Sequence, residues 1–265
     1  MKILFFGDIV GKAGRQAVKK ALSGLKAKHE PDLVIANAEN LAHGLGATRK
    51  TVLEMLDAGV NFFTSGNHIW QQKEAEELLR DREIPLIRPA NYPPETPGDG
   101  YRIVEVGVGK FALIISLLGQ TFFDENLDSP MRTMDKILAE TKNKKINAII
   151  VDFHKEVTSE MQALGFYLDG RVSAVLGTHT HIPTADERVL PAGTAFITDV
   201  GMAGVRDSSL GVDVQQVIKW MLTQRPIKFD RPEEGLCRVD AVVIDIDPAN
   251  RQAKSIERIN AEVEI

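Results

Sequence analysis

The chain opens Lys2-Ile3-Leu4-Phe5-Phe6-Gly7-Asp8-Ile9-Val10-Gly11-Lys12-Ala13-Gly14-Arg15, an apolar run that ends in an aspartate and passes into a glycine-rich turn. Strand, glycine loop and helix start, in that order, are the layout of a nucleotide-binding α/β protein. Both phosphate-loop patterns nevertheless fail on spacing. A Walker A loop needs four residues between its first glycine and a Gly-Lys pair followed by Ser or Thr. Gly7 and Gly11 enclose three, and Ala13 follows Lys12. The dinucleotide fingerprint fails because Ile9 stands where its second glycine belongs. What remains is Asp8 at the carboxyl end of the first strand, the edge where ligands bind in parallel sheets. Alone, such an aspartate reads more simply as a cap for the following helix. The other strand exits decide.

Outward from this stretch, apolar runs at 2–7, 32–37 and 60–64 alternate with helical patterns at 12–28, 48–58 and 71–80. That order predicts parallel strands joined by helical crossovers. Residues 101–107 and 111–118 read as a hairpin, followed by a polar loop from Gly119 to Ser129 and a helix over 130–142. Strands at 146–153 and 172–177 flank a helix at 158–169. Strands near 186–190 and 194–199, a helix at 212–223 and strand-like segments at 236–247 and 253–264 complete the chain. The expected class is α/β, with two stacked, partly parallel sheets covered by helices on their outer faces. No linker divides residues 1–265, and Pro93–Pro97 reads as a stiff surface loop.

A net charge of −5 argues against a protein that coats long nucleic acid, but leaves room for a local phosphate site. Cys237 is the sole cysteine, so neither a disulfide framework nor a thiolate metal cluster is available. The longest apolar segment, 111–118, is far short of the ~20 residues of a membrane span. Met1 leads directly into the first strand, which points to a cytoplasmic protein with no membrane partner. Trp70 and Trp220 are candidates for an interface between copies or for ordinary packing.

The strand exits share one chemistry. After Asp8 come Asn37-Ala38-Glu39-Asn40, Ser65-Gly66-Asn67-His68, Asp152-Phe153-His154 and Gly177-Thr178-His179-Thr180-His181. Four of the six histidines fall at these exits. His29, at a helix end, reads as a surface residue, and His43 as an incidental loop residue. Each candidate has an ordinary alternative: His154 a hydrogen-bonded core histidine, Asn67 a turn residue, Asn40 a left-handed position. His179 and His181, alternate residues of extended chain, point to the same side. Together the exits indicate a metal site. Carboxylate, amide and imidazole donors without thiolate favour Mn²⁺, Fe or Zn²⁺ over copper, and histidine argues against calcium. Seven ligands exceed one transition ion but suit two ions sharing a carboxylate, a recurrent device for hydrolysing phosphate esters.

These residues resemble the calcineurin-like metallophosphoesterases, whose motifs are D-x-H, G-D-x-x-D, G-N-H, a lone H and G-H-x-H. Gly66-Asn67-His68, His154 and the His179/His181 pair fit directly. Val10 replaces the histidine of D-x-H, and Ala38-Glu39-Asn40 stands where an aspartate is expected. Those departures mark one branch, the YmdB-like phosphodiesterases, with G-D-I-V-G, N-x-E-N, G-N-H, D-F-H-x-E-x-T-S-E and G-T-H-T-H. Matches continue through Thr184–Glu187 and Ile197–Met202. Lys155, where alanine is expected, and Pro183, where glutamine is common, depart from the pattern and bear on substrate preference.

The resemblance implies a four-layer α/β/β/α sandwich, two mixed sheets flanked by helices. It implies two divalent or transition ions, Fe or Mn, with Zn or Mg as alternatives. Glu39 would be shared, Asp8, Asn40 and His181 would hold one ion, and Asn67, His154 and His179 the other. The implied activity is hydrolysis of a small phosphodiester, a 2′,3′-cyclic nucleotide above all and 3′,5′-cyclic nucleotides as a further class. The resemblance further implies that metal-activated water attacks and that His68 serves as the general acid. The rival readings are a phosphomonoesterase or nuclease on the same scaffold, and a regulator that binds a nucleotide or RNA without turning it over.

Overall fold

Successive residues of the first strand point into two different interiors, and that alternation generates the architecture. Ile3 and Phe5 join one apolar cluster, Leu4 and Phe6 another, all without exposed surface. A strand buried on both faces belongs to the inside of a layered fold. The computed structural model describes residues Met1–Ile265. In chain order the first half comprises β1 (Lys2–Ile9), α1 (Gly11–His29), β2 (Leu33–Asn37), α2 (Arg49–Ala58), β3 (Phe62–Thr64), a 3₁₀ turn (Asn67–Gln71), α3 (Ala75–Arg80), β4 (Tyr101–Glu105) and β5 (Phe111–Leu118). Then follow α4 (Pro130–Thr141), β6 (Ala148–His154), α5 (Thr158–Leu168), β7 (Ala174–Thr178), β8 (Arg188–Val189), β9 (Ala195–Ile197), β10 (Met202–Val205), α6 (Val214–Thr223), β11 (Leu236–Ile246) and β12 (Ala253–Glu264).

One sheet runs β12-β11-β10-β1-β2-β3 and the other β4-β5-β6-β7-β9-β8. Both are mixed. In the first, β10, β1, β2 and β3 are parallel and β11 and β12 antiparallel. In the second, β5, β6, β7 and β9 are parallel between antiparallel edges β4 and β8. The middle apolar layer packs Ile3, Phe5 and Ile35 of one sheet with Ile114, Ile150 and Leu176 of the other. On one outer face Val18 and Leu22 of α1 and Val52 of α2 cover Leu4, Phe6 and Val34. On the other, Met134 of α4 and Leu164 of α5 cover Leu113, Ile149 and Val151. The layers are therefore α/β/β/α. Each large apolar side chain fully withdrawn into them contributes about 1.5–3 kcal/mol.

Two glycines shape the opening stretch. A Cβ on Gly7 would lie 2.0 Å from the Gly201 carbonyl oxygen, so only glycine lets the backbone leading into β10 approach β1. Gly11, at φ +60°, makes the left-handed turn from β1 into α1.

The helix expected over 71–80 is shorter. Asn67–Gln71 form the 3₁₀ turn, and Gln72 is extended with its side-chain amide on the Leu45 carbonyl at 2.5 Å, so the α-helix starts only at Ala75. Strand β10 has no counterpart in the sequence reading. It is four residues long and wedges between β1 and β11, pairing with Asp8–Ile9 on one side and Cys237–Val239 on the other. No helix is long and apolar enough to cross a membrane.

Candidate metal centre

The carboxyl ends of the parallel strands in both sheets meet at one edge of the sandwich. Asp8 is the penultimate residue of β1, Glu39 and Asn40 follow β2, and Asn67 and His68 begin the 3₁₀ turn after β3. His154 ends β6, and His179 and His181 follow β7. Glu39 lies between the sheets. Its Oε1 is 2.8 Å from His68 Nδ1 and its Oε2 is 3.1 Å from His154 Nε2. His154 Nε2 is in turn 3.0 Å from His179 Nδ1. Donor atoms of Glu39, His154 and His179 all lie within 4.8 Å of one another. Asp8 accepts the His179 backbone N–H at 3.1 Å and lies 3.7 Å from His181 Nε2.

Asn40 bridges the two halves. It donates from Nδ2 to Asp8 at 3.2 Å, places the same nitrogen 3.2 Å from His181 Nε2, and sets its oxygen 3.3 Å from His68 Nδ1. Since a cation takes the amide oxygen, this amide must turn over to join the donor set beside Asp8 and His181. Asn67 makes no contact of this kind: its Oδ1 is buried without a hydrogen-bond partner. A buried acceptor left unpaired costs about 1–3 kcal/mol, which a cation at that oxygen would remove. The preceding Gly66 is a cradle, for a Cβ there would fall 1.9 Å from Glu39 Oε2 and 2.5 Å from His154 Nε2.

Hydrogen bonding from behind fixes which nitrogen each histidine presents. The Thr178 hydroxyl donates to Asp152 Oδ1 at 2.7 Å, so at 2.9 Å it accepts from His154 Nδ1–H. That leaves His154 Nε2 facing Glu39. His179 Nε2 lies 2.9 Å from Glu156 Oε2, which selects its Nδ1 as the inward atom. His181 Nδ1 donates to the Leu210 carbonyl at 3.0 Å, leaving Nε2 inward. Each imidazole is thus anchored by an outer acceptor, the arrangement that orients histidine ligands in metal sites.

The electrostatics ask for positive charge. Asp8 and Glu39 are 0% and 1% exposed, and their only salt-bridge partners are imidazoles. Burial raises the pKa of Glu39 and lowers that of His154, but their pairing overcomes both. Glu39 is held well below the carboxylate range and His154 up at about 9. Burial, and then the charge on His154, push His179 down to about 3, so it is neutral with a lone pair on Nδ1. The unpaired Asn67 oxygen, the Gly66 cradle and the inward nitrogens all fit cations in this space.

Several supporting residues escaped the sequence reading. Asp152, in the buried strand β6, accepts from Asn37 Nδ2 at 2.9 Å, from Thr64 Oγ1 at 2.5 Å and from Thr178, tying four strands of both sheets together under the site. Burial pushes its carboxyl up to about 6 against those bonds. The legible signal was a charged residue within an apolar strand. Glu156 stood two residues beyond His154 without an assigned role. His29, expected at the surface, is buried, because Val18, Leu22, Leu25 and His29 continue one buried stripe of α1 at helical spacing. His43 is exposed, makes no polar contact with the cluster and lines a neighbouring cavity. Lys155 is withdrawn from solvent: its Nζ, fully buried, pairs with the equally buried Asp199 at 3.0 Å.

Known proteins resemble the chain over its whole length. The chain is 47% identical over 260 residues, 98% of its length and 96% of the relative's, to a Bacillus subtilis protein named 2′,3′-cyclic-nucleotide 2′-phosphodiesterase. A Thermus thermophilus protein of solved structure superposes with a TM-score of 0.90 at 40% identity, covering 99% of both chains. A Mycoplasma pneumoniae structure described as a novel phosphatase superposes with a TM-score of 0.92 at 34% identity, covering 100% of this chain and 94% of that one. The sequence profile of the YmdB-like proteins matches residues 4–259. The chain therefore belongs to the YmdB-like protein family.

Proposed function

We propose that this chain is a dinuclear metal-dependent phosphodiesterase that opens 2′,3′-cyclic nucleotides by cleaving the bond from phosphorus to O2′. The observation that carries the reading is the meeting of Asp8, Glu39, His154 and His179 at one edge of two sheets, in a chain 47% identical to a relative named for that reaction. Asp8, Asn40 and His181 would hold one ion, Asn67, His154 and His179 the other, and Glu39 both. Fe or Mn suits the mixed oxygen and imidazole donors, with Zn or Mg as alternatives. When bound, paired ions neutralise charge on the phosphoryl oxygens and acidify water to near neutrality. Thr178, Glu156 and the Leu210 carbonyl keep the three imidazoles in the orientation that presents a lone pair.

His68 is the proton donor. Its side chain is 31% exposed, against 21% or less for the other three imidazoles, so it is the one that substrate reaches first. Glu39 holds its Nδ1, and Nε2 is left to protonate the departing O2′. One domain over residues 1–265, acting in the cytoplasm on a small nucleotide, completes the reading.

The test is elemental analysis of the purified protein together with hydrolysis of adenosine 2′,3′-cyclic monophosphate, scoring the 3′-monophosphate product. Full activity in excess chelator would refute the reading. His68→Ala should keep both metals and lose about 10²–10⁴-fold in kcat; unchanged kcat removes His68 from the chemistry. The phosphatase description of the Mycoplasma structure favours a second reading, a monoesterase. Faster turnover of 4-nitrophenyl phosphate than of its bis ester would select it.

A further inference from the structure

We infer that a cationic cavity beside the metal centre binds a second phosphate, the one on the 5′ oxygen of the nucleotide whose cyclic phosphate is opened; this rests on the phosphodiesterase reading. The cavity, about 700 Å³, lies between the start of α1, the loop after Asn40 and the segment 228–233. Lys12, Arg15, Lys50, Lys228 and Arg231 line it against Glu74, Asp230 and Glu233, five positive groups to three negative in a chain whose net charge is −5. Lys12 and Arg15 are neutralised, by Glu233 at 2.8 Å and Glu54 at 2.7 Å. Lys50, Lys228 and Arg231 have no carboxylate partner. Arg231 is half-buried, and burial lowers its pKa with no acid to offset it. Its side chain lies over Gly44, where a Cβ would come 1.8 Å from Nε, so the loop makes room for it.

The helix end adds to these charges. The first turn of α1 carries no acidic residue and its cap, Val10, offers no side-chain acceptor, so the positive end of the helix opens beside Lys12. Charged and polar side chains make up most of the lining, with Phe229 and Pro232 among them, and the cationic groups suit a phosphate. The near wall of the cavity adjoins the site. Gly11 lies three residues from Asp8 and His43 three from Asn40, which bounds each separation at about 11 Å. That is within the reach of one nucleotide. Guanidinium with ammonium groups is the donor set that recognises phosphate. The same ligand chemistry occurs in a free 5′-phosphorylated cyclic nucleotide and at the 3′ end of a short RNA.

The experiment compares kcat/KM for adenosine 2′,3′-cyclic monophosphate, its 5′-phosphorylated form, and a diadenosine dinucleotide ending in a 2′,3′-cyclic phosphate. The protein should favour one or both of the latter by about tenfold, the value of a charge-assisted contact. Preference for the 5′-phosphorylated mononucleotide alone identifies a terminal monoester, and preference for both admits an RNA end. Arg231→Ala and Lys50→Ala should each erode that preference while leaving the unphosphorylated substrate unchanged, and Arg231→Lys should retain part of it. Equal rates on all three substrates, or variants that slow all three alike, would overturn the inference. If none is turned over, the phosphodiesterase reading has failed instead. Calorimetric binding of the same compounds then decides the cavity: equal affinity with and without the 5′-phosphate overturns it.

Discussion

Lys155→Met tests how the His179/His181 segment is held. Lys155 Nζ and Asp199 Oδ2 lie 3.0 Å apart with neither side chain exposed. At an effective dielectric of about 20, their attraction is roughly 5.5 kcal/mol, against which stands the desolvation of both ions. Removing one partner of such a pair typically costs about 3–5 kcal/mol, because the other charge is left buried. Asp199 keeps two other donors, Thr180 N–H at 3.1 Å and Gly201 N–H at 2.9 Å, so the lower half of that range applies, about 3 kcal/mol. For a chain of this size that lowers Tm by roughly 6–12 °C. Thr180 separates the two histidines, and both adopt positive φ, 105° and 64°. Loosening Asp199 should therefore also weaken metal binding. The assay is thermal unfolding with Mn²⁺ titration for Lys155→Met, Asp199→Asn and the double variant. The double variant carries no unpaired charge and should recover stability relative to Lys155→Met. A Tm within about one degree of the parent for Lys155→Met, or a double variant no more stable than the single, would refute the argument.

Gly66→Ala should fold yet bind metal poorly and lose most activity, because its Cβ would fall 1.9 Å from Glu39 Oε2; elemental analysis beside circular dichroism checks this. Thr178→Val removes both the anchor of His154 Nδ1–H and a donor to Asp152, and should lower metal affinity about 10–100-fold by titration. Glu156→Ala should weaken metal binding through His179, while Glu156→Gln, which still accepts from Nε2–H, should recover much of the loss.

The sequence made legible whatever repeats at the spacing of a strand or helix. Apolar runs located β1, β2, β6 and β7, and the donors at their ends needed only the rule that parallel sheets bind at the carboxyl edge. Strand β10 was hidden because Met202–Val205 has four residues, one a glycine, and is defined by the two strands it separates. His29 sits at a helix end, which by itself favours exposure, but the apolar spacing of Val18, Leu22 and Leu25 carries it inward. Lys155 shows the limit most clearly. One residue after a ligand candidate it suggested contact with substrate, yet its partner Asp199 lies forty-four positions on, and only the fold brings them together. Periodicity reports which face a residue occupies. It does not report which distant polar group will be waiting there.

The network beneath the centre links its chemistry to the stability of the sandwich. Asn37 of β2 and Thr64 of β3 belong to one sheet, Asp152 of β6 and Thr178 of β7 to the other, and Asp152 accepts from all three. Thr178 then holds His154, Asn37 accepts the Glu39 N–H at 2.9 Å, and the ion pair of His154 with Glu39 spans the seam between the sheets. Apolar packing in the middle layer fixes the spacing of the sheets but not their lateral register, since it has no directional bonds. The polar seam supplies that direction, because each of its bonds fails if one sheet slides. The seam therefore sets the candidate donors against one another, and a cation bound across it would reinforce the contact that aligns them. Site and fold are coupled here through hydrogen bonds that a hydrophobic replacement of Asp152 would abolish, even though it would sit comfortably in the core.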